Sequence, residues 1–307
     1  MTLPAFGQGS FPASAGIVGT TAVHKDSSSI VAWAAGCEVD RGYMNIADTS
    51  LGLATFGVTT DALGASNPSI LSLGDSGSAT LTFNGSIFNG PGPDFAIFEN
   101  SFSDSFLELA FVEVSSDGLN FFRFPATSTT PDTSQIDGFG FTDATHLNNL
   151  AGKYRAQFGT PFDLQEMTGI IGLDINDVRF VKLIDCVGSI NPLYASYDQF
   201  GYPINDPFPT PFPSSGFDLD AIGVMNFSPA TDILTIENAI KLYPNPTSHF
   251  LQIDANGFER VELFDIQGRL ILQSMSSLVD LHKLPAGQYV AKIFMDSVSS
   301  SHLIFKR

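Results

Sequence analysis

The sequence predicts an all-β protein made of a larger and a smaller β-sandwich. Charged residues make up only 15% of the 307-residue chain, which also contains 28 Gly and 18 Pro. Its apolar runs are short and are separated by turn-forming residues, as in proteins built from strands and turns. Runs of helical period rich in Ala, Glu, Lys and Leu are nearly absent, which argues against a helical bundle.

The strands of the larger sandwich can be followed along the chain. After Ser78, Leu81 and Phe83 alternate with polar neighbours, as in a half-buried strand. Residues 107–124 read as a strand, a turn at Asp117-Gly118 and a second strand, which predicts a hairpin. The further runs that favour strands are 94–100, 178–188 and 217–226.

The connecting segments carry different signals. Residues 125–170 are predicted to be mostly loop, with short helices near 145–149 and 163–167. Four prolines between 205 and 216 predict an irregular segment, because proline cannot donate to a sheet ladder.

A change in composition marks a domain boundary. Residues 1–230 carry seven Lys and Arg against 24 Asp and Glu, a formal charge of −17, whereas residues 231–307 carry seven against eight. From Lys241 the chain becomes a series of short regular strands, and five or more of them in about 70 residues predict a small sandwich. The predicted organisation is a module at 8–228, a linker at 229–240 and a second sandwich at 241–307.

The strong negative charge of the first module limits its partners. It repels nucleic-acid phosphates and anionic membrane surfaces, so a nucleic-acid partner is excluded. It attracts cations, Ca²⁺ above all, because that ion prefers hard oxygen ligands. The alternative is that the acidity only keeps an exported protein soluble.

The two cysteines, Cys37 and Cys186, belong to no CxxC motif, which leaves zinc and redox sites unsupported. In an oxidising compartment they can form one disulfide that closes a long loop. The alternative is two separate buried thiols, since Cys186 lies inside an apolar run.

Neither a transmembrane helix nor a complete signal peptide is evident. No stretch approaches 18 consecutive apolar residues. Ala5-Phe6-Gly7 has the spacing of a signal-peptidase site, although no basic or apolar segment precedes it. Residues 1–7 are therefore predicted to be a signal-peptide remnant, and the alternative is that this spacing is accidental.

The C-terminal sandwich carries three motifs in order. Residues 242–247 begin with Tyr-Pro-Asn-Pro, residues 261–269 contain a hydrophobic strand followed by Asp-x-x-Gly-Arg, and residues 284–289 read Leu-Pro-Ala-Gly-Gln-Tyr. The region resembles the type IX secretion system C-terminal sorting domain, type A. The resemblance rests on Tyr243, Pro244, Asn245, Pro246, Asp265, Gly268, Arg269, Gly287, Tyr289, Lys306 and Arg307.

This resemblance implies an Ig-like fold and export by the type IX secretion system. The chain resembles a Bacteroidetes surface protein that crosses the periplasm, is read by the type IX machinery at the outer membrane and is attached outside the cell. An ordinary Ig-like accessory module is the alternative.

The larger module resembles, more loosely, an uncharacterised cell-surface family of galactose-binding-like jelly rolls. The segments that carry this resemblance are 89–100, 108–118 and 216–222. Because this architecture serves many functions, the resemblance implies a jelly-roll-like sandwich rather than an activity.

Acidic residues at two strand ends predict a calcium site. Alternation places Phe95, Ile97 and Glu99 on one face of their strand. The same argument places Asp218 and Asp220 on one face, opposite Phe217, Leu219 and Ala221. Carboxylates that follow a loop can coordinate a hard cation together with loop carbonyls. The predicted ligands are Glu99, Asn100, Asp218, Asp220 and Asp94, and the alternative is that these side chains cap turns.

Aromatic residues in loops predict a ligand surface, because loops carry binding residues more often than strands do. The candidates are Tyr194, Tyr197, Tyr202, Phe208 and Phe212, and the alternative is packing over the core. Trp33 is either a sugar-stacking platform or, in its apolar setting, part of the core.

No catalytic motif supports an enzyme, since HExxH, GxSxG, P-loop and Rossmann patterns are all missing. The predicted function is a non-catalytic, secreted binding or adhesion protein, stabilised by Ca²⁺ and bound to glycans. Two alternatives stay open: a structural surface-layer or matrix protein without a discrete ligand, and a secreted glycan hydrolase.

Overall fold

The structure is a computed structural model, and it describes residues 11–230, 240–255, 257–295 and 298–307. The chain divides into two compact units, Met1–Thr231 and Asp232–Arg307. The predicted signal-peptide remnant at 1–7 and most of the predicted linker at 229–240 lie outside the described residues. Among those described, no helix has the length and apolarity needed to cross a bilayer.

The first unit is built from strands and single 3₁₀ turns. Its described strands are β1 (Val23–His24), β2 (Ala32–Trp33), β3 (Gly36–Asp40), β4 (Leu71–Ser72), β5 (Ser78–Ile87), β6 (Phe95–Glu99), β7 (Ala110–Ser115), β8 (Phe122–Arg123), β9 (Thr127–Ser128), β10 (Leu147–Asn148), β11 (Phe158–Phe162), β12 (Val178–Asp185), β13 (Asp218–Val224) and β14 (Phe227–Pro229). The 3₁₀ turns are Thr49–Leu51, Thr59–Ala62, Ala144–His146 and Leu164–Met167.

Two six-stranded antiparallel sheets form the first unit. One sheet has the order β1-β11-β6-β13-β2, with β4 also paired to β13. The other has the order β14-β5-β12-β7-β8, with β3 also paired to β5. The predicted hairpin is present, because β7 and β8 pair across the turn that Asp117 supports by accepting hydrogen bonds from the N–H groups of Leu119 and Asn120.

The main core lies between these sheets. Phe95 and Ile97 reach it from the first sheet, and Leu81 and Val181 reach it from the second. Phe95 stacks on Phe162 with ring centroids 5.4 Å apart. The arrangement is a β-sandwich, so the predicted all-β fold class is confirmed.

Strand β6 is buried on both faces, since all five of its residues are buried. Ala96 and Phe98 pack in a smaller cluster that includes Trp33, whose ring lies 5.6 Å from that of Phe98. Trp33 thus packs against the sheet, as its apolar setting favoured.

Alternation predicted β13 only in part. Leu219 lies in the main core, but Ala221 lies in the smaller cluster, and Ile222 returns to the main core. The reason is an irregularity in the pairing with β6 between Leu219 and Ala221. An extra residue in one strand shifts every later side chain to the opposite face.

Cys37 and Cys186 are free thiols, so the disulfide considered as one of two possibilities is not formed. Cys37 lies on β3 and packs against the main core, whereas Cys186 follows β12 and belongs to a separate buried cluster with Leu109 and Phe111. Burial raises the pKa of the Cys37 thiol to about 11 and raises that of Cys186 well above its usual value. The chain therefore has the alternative arrangement of two separate thiols.

The second unit is a smaller sandwich. Its described strands are β15 (Ile240–Tyr243), β16 (Phe250–Ala255), β17 (Phe258–Asp265), β18 (Leu270–Ser274), β19 (Leu278–Asp280), β20 (Gly287–Met295) and β21 (Val298–Lys306). Sheets of order β15-β16-β19 and β18-β17-β20-β21 enclose a core that includes Leu251, Val261 and Ile293.

Candidate ligand-binding site

The predicted calcium residues gather at one end of the β6–β13 pair, with one exception. The antiparallel register sets Glu99, the last residue of β6, opposite Leu219. Asp218 and Asp220 flank Leu219 in the chain, and Asn100 follows Glu99. Asp94 precedes the first residue of β6 and therefore lies at the other end of the pair, apart from the predicted partners.

Asp94 is a structural carboxylate. It accepts hydrogen bonds from the N–H of Gly90 at 2.8 Å, the N–H of Leu164 at 2.7 Å and the side-chain amide of Asn226 at 2.7 Å. Burial raises its pKa, and these three donors oppose that effect. Asp94 thus ties the turn before β6 to two other segments, as the capping alternative proposed.

The other three acidic candidates also have donors. Asp220 accepts from the Ser66 hydroxyl and from the N–H of Asn67, and Asp218 accepts from the Ser72 hydroxyl. Burial raises the pKa of Asp218 to about 7.

Glu99 is 1% exposed and accepts a hydrogen bond from the N–H of Ser101 at 2.8 Å. Burial, and then the nearby charge of Asp218, raise its pKa well above the ordinary range. Across the described part of the chain, no group of three or more His, Cys, Asp or Glu is arranged to hold a metal ion.

Glu108, which sequence analysis did not select, completes this end of the sandwich. It precedes β7 in a buried run and is only 9% exposed. Burial, followed by the charges of Asp218 and Glu99, raises the pKa of its carboxyl well above the usual value. The available signal was a lone carboxylate inside an apolar run, Leu107-Glu108-Leu109.

Glu108 and Asp218 line a pocket of about 330 Å³, called here the acidic pocket. Four phenylalanines that also line it form the phenylalanine rim: Phe102, Phe106, Phe139 and Phe212. Along the rim the ring centroids lie 4.8 Å, 6.4 Å and 5.9 Å apart. Phe102 is 76% exposed and Phe139 is 67% exposed, so the rim presents ring surface to solvent.

A second pocket of about 320 Å³ shares Asn100 with the acidic pocket. It is named the polar pocket, and its side chains include Lys25, Ser66, Asn67, Asn100, Gln157 and Asp220. Because Asn100 lines both, an acidic, aromatic site and a polar site adjoin at this end of the sheet.

Three further buried acids hold loops together. Asp185 accepts from the N–H groups of Ser76 and Phe217, at 2.9 and 2.7 Å. Asp206 accepts from the N–H of Leu109, and Asp75 accepts from the N–H of Ile46. These donors explain why carboxylates occur inside otherwise apolar segments.

The predicted aromatic candidates do not form one surface. Phe212 belongs to the phenylalanine rim, whereas Tyr202 lines a separate pocket of about 240 Å³. Phe208 is buried at 8% exposure, Tyr194 is half-buried and Tyr197 is exposed. For Phe208, packing over the core was therefore the correct alternative.

In the second unit, the predicted signal residues hold turns and strand ends. Asp265 accepts hydrogen bonds from the N–H groups of Gln267 and Arg269 and pairs with the Arg269 side chain. Gly268 completes this turn with a φ of +79°, a conformation that favours glycine. The Tyr289 hydroxyl donates to the carbonyl of Pro285 at 2.9 Å.

The Tyr-Pro-Asn-Pro motif is tied to the last strand. The Asn245 side chain donates to the carbonyl of Leu303 and accepts from the N–H of Phe305. The N–H of Arg307 donates to the carbonyl of Thr247, and Gly287 pairs with Lys306. Hydrogen bonds thus join the Tyr-Pro-Asn-Pro motif to the strand that ends in the basic Lys306.

Comparison with protein families identifies this unit. Residues 241–306 match the secretion system C-terminal sorting domain. The predicted type IX sorting domain is confirmed, and the protein is secreted and attached to the cell surface. Because this match covers only the C-terminal unit, it does not assign a family to the first.

Other comparisons add no function. No curated protein matches the chain. A solved structure described as a biofilm-associated protein BSP domain is similar at 10% identity and a TM-score of 0.22, over 92% of this chain and 52% of that structure. The chain spans about half the length of that structure, and a likeness at this TM-score carries no inference.

Proposed function

We propose that the first unit is a non-catalytic glycan-binding module, displayed outside the cell, and that its ligand lies across the acidic and polar pockets. The observation that carries this proposal is the phenylalanine rim beside hydrogen-bonding side chains at one end of the sheet. Large exposed aromatic groups on a protein surface commonly mark binding sites.

The two pockets supply the two kinds of contact that a sugar needs. Aromatic ring faces cover the apolar face of a sugar ring, and Phe102 and Phe139 offer such faces. Carboxylates and amides bind hydroxyl groups, and the polar pocket supplies Asn67, Asn100 and Gln157.

Calcium stabilisation stays a prediction. Glu99, Asp218 and Asp220 each accept a hydrogen bond already, so an ion at this place would have to replace or share those donors. Repeating the binding and melting measurements with a chelator tests this point, and an unchanged result removes calcium from the proposal.

A secreted glycan hydrolase is the second candidate, because two carboxyls with raised pKa values line one pocket. Glycosidases use a protonated carboxylic acid next to an ionised carboxylate. Incubating the protein with each bound oligosaccharide and measuring new reducing ends separates the two functions. Turnover that Glu108→Gln abolishes would favour the hydrolase over the binding module.

The direct test uses a matched pair of surface phenylalanines. Phe139 and Phe200 are both 67% exposed, but only Phe139 belongs to the rim. We expect Phe139→Ala to weaken binding of soluble oligosaccharides to the full chain by about two- to twelvefold, since an aromatic contact contributes roughly 0.5–1.5 kcal/mol. Phe200→Ala should bind as the wild type does in isothermal titration calorimetry.

A panel of neutral, acidic and amino oligosaccharides provides the ligands. Equal affinities of the two variants for every ligand would contradict the proposed site. Failure of the wild-type protein to bind any member would instead favour the structural surface protein.

A further inference from the structure

The acidic pocket contains a buried carboxyl for which the described part of the chain supplies no donor. Nine Asp and Glu side chains are buried among the described residues. Eight of them accept a hydrogen bond from a backbone or side-chain donor: Asp75, Asp94, Glu99, Asp185, Asp198, Asp206, Asp218 and Asp220. Glu108 has no donor within the same described ranges.

Glu108 is also directed to a place that a ligand can reach. Glu108 is 91% buried, yet it lines the acidic pocket together with the exposed rings of Phe102 and Phe139. A buried polar group without a partner is unfavourable, and the penalty is greater when the group is charged. A ligand that brings a donor to Glu108 would remove this penalty.

The charges around the pocket favour a positive ligand. Both ionisable side chains that line it, Glu108 and Asp218, are carboxyls. The charged groups that act on Glu108 are all acidic: Asp218, Glu99, Asp206 and Asp185. Arg41 acts on Asp218, but its guanidinium donates to the carbonyls of Phe56, Gly57 and Ser72.

The phenylalanine rim distinguishes an organic cation from a metal ion. Calcium requires six to eight oxygen ligands, and the side chains of the four phenylalanines provide none. The negative face of an aromatic ring attracts an ammonium group within about 6 Å of its centre. A carboxyl that receives no donor from the described residues, in a pocket that four phenylalanines also line, therefore matches a ligand that carries N–H donors, positive charge and a hydrocarbon surface.

We propose that the acidic pocket binds the protonated amino group of an amino sugar, with the ammonium on Glu108 and the sugar ring against the phenylalanine rim. This inference rests on the proposed glycan-binding function and specifies its ligand class. The neighbouring residues of the glycan would then lie in the polar pocket, which Asn100 joins to the acidic one.

The test compares three tetrasaccharides that differ at one position of each sugar ring. They are the β-1,4 tetramers of glucosamine, N-acetylglucosamine and glucose, and they are titrated into the full chain at a pH at which the amine is protonated. We expect the glucosamine tetramer to bind at least ~tenfold more tightly than either of the others, since hydrogen bonds to charged groups are about twice as strong as neutral ones.

Substitutions at Glu108 and Phe102, with Glu113→Gln as the control, test which residues cause the preference for the glucosamine tetramer. Glu108→Gln should reduce it to about threefold or less, whereas Glu113→Gln on β7, whose carboxylate pairs with Arg123, should keep it. Phe102→Leu replaces an exposed ring by an aliphatic side chain, and it should weaken the charged tetramer by ~two- to fivefold more than the two neutral ones. A melting curve for each variant shows whether it is folded.

The outcomes are distinct. Equal binding of all three tetramers would overturn the ammonium inference and leave glycan binding in place, as would a preference that survives Glu108→Gln. Binding of n-butylammonium without binding of any tetramer would support the ammonium pocket and overturn the glycan function. Competition of calcium chloride with the glucosamine tetramer, together with a higher melting temperature in calcium, would assign the pocket to a metal ion.

Discussion

The two ends of the β6–β13 pair show two different uses of a buried carboxyl. At one end Asp94 accepts three hydrogen bonds and joins three segments of the chain. At the other end Glu108 is nearly as buried but receives no donor from the described residues. Burial alone therefore does not distinguish the two carboxyls, whereas the number of hydrogen-bond donors that each receives does.

The largest change in the free energy of unfolding is expected for Asp94, whose carboxylate accepts three hydrogen bonds. Asp94→Ala should lower the free energy of unfolding by about 3 kcal/mol, since three hydrogen bonds of roughly 1 kcal/mol each are lost and the Leu164 N–H is left buried. Urea denaturation of the full chain measures this change. Asp132→Ala, at an exposed position, is the control and should be neutral. An unchanged free energy of unfolding for Asp94→Ala would contradict this expectation, because Asp94 would then not stabilise the fold.

At the end where Glu108 receives no donor from the part of the chain that the structure describes, removing the charge should raise the free energy of unfolding rather than lower it. Glu108→Gln should stabilise the protein by about 1–3 kcal/mol at pH 8, since it replaces a buried acid without a donor by a neutral group. The pKa of Glu108 is raised in the folded state, so its contribution is most favourable below the ordinary carboxyl range and is lost as the pH rises through the folded value.

Denaturation at two pH values checks this sign. The difference between Glu108→Gln and the wild type should be large at pH 8 and small at pH 4. A variant that is less stable than the wild type at pH 8 would show that Glu108 has a structural partner. That result would contradict the inference that Glu108 binds an ammonium group.

The smallest effect is expected for an ion pair whose basic side chain is exposed. Asp265 pairs with Arg269, whose side chain is 75% exposed, in a turn of the second unit. Arg269→Ala should leave the melting temperature nearly unchanged, because solvent screens an exposed ion pair. A clear fall in the melting temperature of Arg269→Ala would show that an ion pair with an exposed basic side chain stabilises the fold as much as a buried carboxylate does.

Local signals predicted much of the fold. Alternation identified β5, β6 and β7, and the Asp117-Gly118 turn identified the hairpin, because these features depend on neighbouring residues. The three sorting motifs were equally readable, since each consists of turn and strand residues a few positions apart. Alternation failed within β13, where an irregularity that no local pattern announced turned Ala221 to the other face.

The candidate site was predicted less well than the fold. Proximity of Glu99, Asp218 and Asp220 followed from strand ends. Asp94 does not lie with them, because it precedes the strand that Glu99 ends and the length of that strand separates the two. Of the five loop aromatics selected, Phe212 alone belongs to the phenylalanine rim. Glu108 was missed because its burial is visible in sequence, whereas its lack of a donor is not.

The all-β class, the Asp117-Gly118 hairpin and the sorting signal could be predicted from the amino-acid sequence, since each depends on residues close together in the chain. Which carboxyls receive donors and which rings meet follows from the packing of distant segments. The rim joins phenylalanines from segments as far apart as Phe102, Phe139 and Phe212, and the donors of the buried acids come from equally distant loops. Such meetings depend on how whole sheets pack, and that packing is set by the sum of many contacts rather than by any local pattern.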